Sequence, residues 1–275
     1  MPAIGKRIVS LVAFLALNIF ASHPRSALAC GVDTDCQIGA RTYRIVLPDY
    51  SAETDKTGAI IFAHGFRGTA ARAVKNKKLT ALASELNVAL VAAQAAGPEW
   101  NIPHIPTVDA SEGIDELAYF DALSFDLAKR FSVDPSKTVV AGFSSGAMMV
   151  WHLACFRGTS FAGFVPMSGT FWKPLPSACP TGPVNLIHYH GRDDPIVPLH
   201  GRPIKDAEQG DVYDAVALIA KSGTYRPLPD QQLPDLECSR WADGSSHLLE
   251  LCLFSGKHTW RSENLLRAVR LLLPD

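Results

Sequence analysis

Ser144 stands between Gly142 and Gly146 in the stretch VVAGFSSGAM, residues 139–148. Glycine weakens strands and helices alike, so two of them around one hydroxyl need a reason. A sharp turn from strand to helix supplies it. The turn forces the serine into a strained conformation that exposes Oγ, and the glycines remove side chains that would collide where strand and helix meet. A hydroxyl so placed becomes a nucleophile when a histidine can take its proton and a carboxylate fixes that histidine's tautomer. The chain order expected for such an elbow is Ser, then Asp, then His. Downstream, HYHGRDDPIVP offers Asp193 and Asp194 after an apolar run, and Pro195 biases Asp194 toward an extended loop. His258, in FSGKHTW, follows the last apolar run and precedes the last helical stripe, where the third member must come. Two backbone donors would serve a tetrahedral oxyanion: Ser145 N–H and, from the loop HGFRG, Phe66 N–H, with Gly65 and Gly68 keeping that loop open. His64, His188 and His190 raise the thought of a metal, but no HExxH helix accompanies them. Neither metal nor cofactor is expected.

The surrounding pattern fits the positions these residues need. RTYRIVLP, GAIIFAHG, NVALVAAQ, KTVVAGFS, FAGFVPMS, PVNLIHYHG and HLLELCLF read as strands. Helical stripes alternate with them: Leu79 to Leu86, Leu117 to Phe131, Val212 to Ile219 and Leu265 to Leu273. Ser145 to Cys155 is apolar nearly all round, the mark of a buried helix. This alternation predicts an α/β fold, a mostly parallel sheet with helices on both faces. Ligands then bind at the C-terminal ends of strands. Residues 94–113 and 221–235 are rich in Pro and Gly, lack periodicity and are expected to rim the site as loops. Trp100 and Trp260 are candidate walls of a substrate pocket, since indole offers flat apolar area.

Lys6 and Arg7 precede an apolar segment from Ile8 to Leu17, and Ala27–Leu28–Ala29 follows. Residues 1–29 therefore read as a secretory signal, and 30–275 as one domain in the secreted or periplasmic space. A largely apolar run of ten residues is too short for a stable membrane anchor. Cys30 at the new terminus raises a lipid anchor, although Ala27 stands where a lipobox carries Leu. Cleavage leaves 23 basic against 27 acidic residues, a balance that argues against nucleic acid as partner. Six cysteines in an exported chain imply disulfides; of the 15 connectivities they allow, among which sequence alone does not choose, proximity suggests Cys30 with Cys36, Cys155 with Cys179 and Cys238 with Cys252.

FAHGFRGTA, AGFSSGAMM, HGRDDPIVP and GKHTW together resemble the polyhydroxybutyrate depolymerase and feruloyl esterase group of α/β-hydrolases, and CQIGARTYRIVLP resembles that group's N-terminal strand. The resemblance runs from about residue 36 to 265. It implies an α/β-hydrolase with Ser144 as nucleophile, Asp194 rather than Asp193 as acid and His258 as base. The chain departs from the group's pattern at Phe66, Lys257, Arg261 and Ser262, so its acyl and alcohol preferences need not be the group's. It carries no linker or polymer-binding domain, which makes soluble esters or short polyester oligomers the expected substrates. Two other functions fit the same fold: a serine peptidase of the prolyl oligopeptidase type, and a binding protein without catalysis.

Overall fold

The computed structural model describes Met1 and residues 30–48, 56–106 and 113–273. The expected signal at 1–29 lies outside the described residues. In chain order the elements are β1 (Cys36–Ile38), β2 (Arg41–Val46), β3 (Thr57–Ala63), α1 (Ala70–Val74), α2 (Lys77–Glu85), β4 (Ala89–Ala93), α3 (Glu116–Phe131), β5 (Val133–Phe143) and α4 (Ser145–Phe156). There follow β6 (Gly163–Met167), β7 (Leu186–Gly191), β8 (Pro203–Ile204), β9 (Ala207–Glu208), α5 (Val212–Ser222), β10 (Arg226–Leu233), β11 (Leu236–Ala242), β12 (Leu248–Phe254) and α6 (Ser262–Leu272). No helix among the described residues is long and apolar enough to cross a membrane.

Among the described residues, ten strands form one sheet in the order β1-β2-β4-β3-β5-β6-β7-β12-β11-β10. The six from β4 to β12 run parallel, and an antiparallel pair closes each side. The parallel strands read as continuous apolar runs because both faces are covered. Alternation along β3 divides the core. Ile61 and Ala63 face α3, α4 and α5, whereas Ile60 and Phe62 face α1, α2 and α6. α4 is buried along almost its whole length, as its all-round apolar sequence predicts.

One expectation about the elements fails. Residues 226–233, read as part of a loop, form β10, which pairs with β11 and ends the sheet. Pro227 and Pro229 hid it, since proline within a run argues against a strand. An edge strand tolerates proline because one row of its N–H groups has no partner, and the pairing register shifts between Leu228 and Gln231, around Pro229.

Three disulfides join Cys30 to Cys36, Cys155 to Cys179 and Cys238 to Cys252. The last lies between directly paired positions of β11 and β12. Its loop of 14 residues restricts the unfolded chain by about 3 kcal/mol. Cys238→Ser with Cys252→Ser should therefore lower the melting temperature by roughly 10 °C in a thermal scan. An unchanged melting temperature would contradict this assignment of its contribution.

Candidate active site

The end of β5 and the start of α4 meet at Ser144, whose φ of 58° and ψ of −122° lie outside the helix and strand regions. The backbone is clamped on both sides of the corner: Ser144 N–H donates to Met167 O, and Met148 N–H donates to Ser144 O. The glycines make that crossing possible. A Cβ on Gly142 would sit 2.4 Å from Gly146 O, and one on Gly146 only 2.0 Å from Ala63 O. The loop after β3 also packs against the corner. A Cβ on Gly65 would lie 3.5 Å from Ser144 Cβ.

That loop is held by His64, which is buried. His64 Nδ1–H donates to Gly65 O at 2.9 Å, since a carbonyl only accepts, and Nε2 takes Ala95 N–H at 3.2 Å. Arg67 N–H donates to Pro98 O, tying the loop to the irregular segment that follows β4. Phe66 is exposed at the loop's tip, and Ser145 N–H heads α4 in a first turn whose amides have no intrahelical acceptor.

The candidate acid and base come from the ends of β7 and β12. Asp194 is 4% exposed, and its Oδ2 accepts from His258 Nδ1 at 2.7 Å. Oδ1 accepts from Ile196 N–H and Val197 N–H at 2.8 and 2.9 Å. Burial pushes the Asp194 carboxyl up, but the His258 bond and the two backbone donors outweigh it and hold the group below its ordinary value. Asp193 is exposed, and its backbone N–H donates to Gly256 O. Together with Arg192 N–H to Phe254 O, this fastens the acid loop to the histidine loop. The His258 ring lies 4.7 Å from Phe143, the neighbour of Ser144, while Ser144 Oγ itself bonds no described residue.

The two tryptophans part company. Trp100 is fully buried; its Nε1–H donates to His64 O, and its ring packs on His64 and Phe120. It is a core residue behind the loop, not a pocket wall. Trp260 is half-buried against Phe62 and Phe143, beside the elbow.

Residues 115–206 match the phospholipase/carboxylesterase family of hydrolases. Feruloyl esterase C of Emericella nidulans is 28% identical over 210 residues, covering 71% of this chain and 72% of that protein. NocK of Nocardia uniformis subsp. tsuyamanensis, provisionally assigned as an esterase, is 28% identical over 162 residues, covering 58% of this chain. That alignment takes in 47% of NocK, so this chain spans about half its length. The acetyl xylan esterase of Aspergillus awamori superposes with a TM-score of 0.60 at 15% identity, covering 84% of this chain and 94% of that one. The chain has the α/β-hydrolase fold.

Within this hydrolase fold, one support behind Asp194 goes beyond what the sequence pattern indicates. His190 Nε2–H donates to Val197 O at 2.7 Å, so its Nδ1 is bare and accepts His188 Nε2–H at 2.8 Å. His190 thereby fixes the residue whose amide holds Asp194 Oδ1, and its Nε2 stands 3.5 Å from Asp194 Oδ2. The only hint in the sequence is the alternation His188, Tyr189, His190, which puts both imidazoles on one face of β7. The two rings serve as each other's partners and do not converge with His64. Among the described residues, the one group with metal-ligand spacing is Cys238, Glu250 and Cys252, and its two sulfurs are bonded to each other.

Burying histidines without charge has a measurable cost in acid. Burial lowers His64, His188 and His190 below their ordinary 6.5, with the His190 charge a further cause at His188. Burial and Arg157 bring His152 to about 4. Between the folded and unfolded values the unfolded chain binds more protons, so stability falls as pH drops below about 6.5, by up to about 1.4 kcal/mol per pH unit for each group. Asp194, being depressed, contributes stability in full above its unfolded value and loses it only as pH falls through its folded one. Urea midpoints should decline from pH 7 through 6 to 5. A flat series would contradict the neutral burial.

Proposed function

We propose that this chain is a serine esterase acting on soluble carboxylic esters or short polyester oligomers. Ser144 Oγ attacks the ester carbonyl, and His258 Nε2 takes the hydroxyl proton and returns it to the departing alcohol. Water, activated by the same imidazole, then hydrolyses the acyl-enzyme. Asp194 holds His258 in the tautomer that presents Nε2 to the serine and stabilises the imidazolium. Phe66 N–H and Ser145 N–H would receive the oxyanion, each donor being worth about 3 kcal/mol in the transition state. Trp260 would border the substrate. The observation that carries this reading is the Asp194–His258 bond at 2.7 Å, made by a buried carboxylate to a histidine whose ring lies against Phe143, the residue before a serine at positive φ. The names of the relatives, feruloyl and acetyl xylan esterase, lend support to ester chemistry.

A fluorophosphonate probe, with peptide mapping of the adduct, tests the nucleophile. The expected site is Ser144, with turnover of p-nitrophenyl esters. No adduct on folded protein would favour a binding module, and labelling with peptide turnover but no ester turnover would favour a peptidase. Export through the segment 1–29 belongs to the same proposal, supported by three disulfides, which persist in oxidising compartments.

A further inference from the structure

Beside the elbow a cleft of about 250 Å³ runs from Phe143 and Trp260, along the Gly65–Gly68 turn, to Thr69, Arg72 and Asn76. Its polar lining offers hydrogens and almost no lone pairs. Asn76 Oδ1 is committed to Lys78 N–H and Leu79 N–H at 3.0 and 3.2 Å, which leaves the amide NH2 as the group that can donate. Thr69 Oγ1 accepts Arg72 N–H at 3.2 Å, which leaves its hydroxyl proton. Both nitrogens of His64 are occupied as described. Arg72 is exposed and forms no ion pair with a described residue. No acidic side chain lines the cleft.

The charge around it points the same way. From Lys56 to Ser84 the chain carries Arg67, Arg72, Lys75, Lys77 and Lys78 and not one Asp or Glu, although the whole sequence has a net charge of −1. Lys75 is taken by Asp33 at 2.9 Å, whereas Lys77 and Lys78 open α2 without a described ion-pair partner. A donor-rich cleft beside a cationic stretch matches a group that only accepts, and an ionised carboxylate is such a group.

We propose that this cleft is a subsite for a carboxylate carried on one arm of the ester substrate, with Arg72 as its ion partner and Asn76 and Thr69 as further donors. The proposal rests on the esterase reading and narrows it: the natural substrate is an ester of an anionic molecule, such as a half-ester of a dicarboxylic acid or an ester borne by an acidic sugar. Because the contact is remote from the reacting carbonyl and equal in ground and transition states, it acts on KM and leaves kcat alone.

Matched pairs test it by pH-stat at low ionic strength: monoethyl glutarate against ethyl pentanoate for an acyl-side charge, and 3-butyryloxypropanoate against propyl butyrate for an alcohol-side charge. In one pair the anionic member should show a KM about tenfold lower at similar kcat, the size expected of a charge-assisted contact. Added NaCl at 0.5 M should shrink that ratio in the wild type, a readout that needs no variant. Arg72→Gln should bring the ratio to near one. Equal KM values within both pairs, or a ratio that survives Arg72→Gln and salt, overturns the subsite and leaves the esterase reading standing. No turnover of any of the four esters removes both.

Discussion

Ser144→Ala should cost on the order of 10⁶-fold in kcat for ester hydrolysis while the protein keeps its circular dichroism and its melting temperature to within a few degrees. The hydroxyl bonds no described residue, so its removal orphans no donor or acceptor, and Ala is no larger than Ser. His258→Ala should cost about as much, and the double variant little more than either single one. A nucleophile without its base and a base without its nucleophile are equally idle, so the losses cannot add. The check is kcat for both singles and the double on one ester. A double variant slower than both singles by the product of their effects would mean that the two residues act independently, which the proposed chemistry forbids.

The second large effect separates adjacent residues of the same type. Asp194→Asn should lower kcat by about 10⁴-fold, because the amide can present a hydrogen to His258 Nδ1 and so select the tautomer whose Nε2 is already protonated. Asp193→Asn should change kcat less than about threefold, since that side chain is exposed and its tie to the histidine loop is made by backbone, which the substitution leaves in place. Steady-state kinetics on the two variants decide the matter. The reverse ranking would move the acid to Asp193 and sever the proposal from the bond at 2.7 Å.

What could be read ahead of the structure follows the range of the forces involved. Gly142 announces the elbow for a local reason, since Gly146 O lies 2.4 Å from where its side chain would begin, and Gly146, kept bare by Ala63 O of the neighbouring strand at 2.0 Å, completes the pattern. The parallel strands were equally plain, since burial on both faces leaves apolar runs. β10 was hidden because local proline signals and the sheet's edge disagree, and only tertiary position settles which prevails. Trp100 was misplaced for a related reason. Its segment reads as a Pro- and Gly-rich loop without periodicity, yet the indole turns inward to His64 and Phe120, and nothing in the spacing of a loop residue reports which way it faces. His190 could be seen as unusual but not explained, because its partner Val197 is a backbone carbonyl, and backbone partners leave no mark on residue type.

The margins of the ten-stranded sheet govern how this protein behaves in company. An open margin is a template on which a second molecule can add a strand and begin a fibre or a precipitate. At one margin β1 has only three residues, and its Cys36 is bridged to Cys30, so little backbone is on offer. At the other, β10 is long and exposed, but Pro227 and Pro229 withhold two N–H groups, and the register shift around Pro229 breaks the even spacing that a newcomer would need. The prolines that disguise β10 in the sequence thus oppose self-association where a sheet of this size is most open to it.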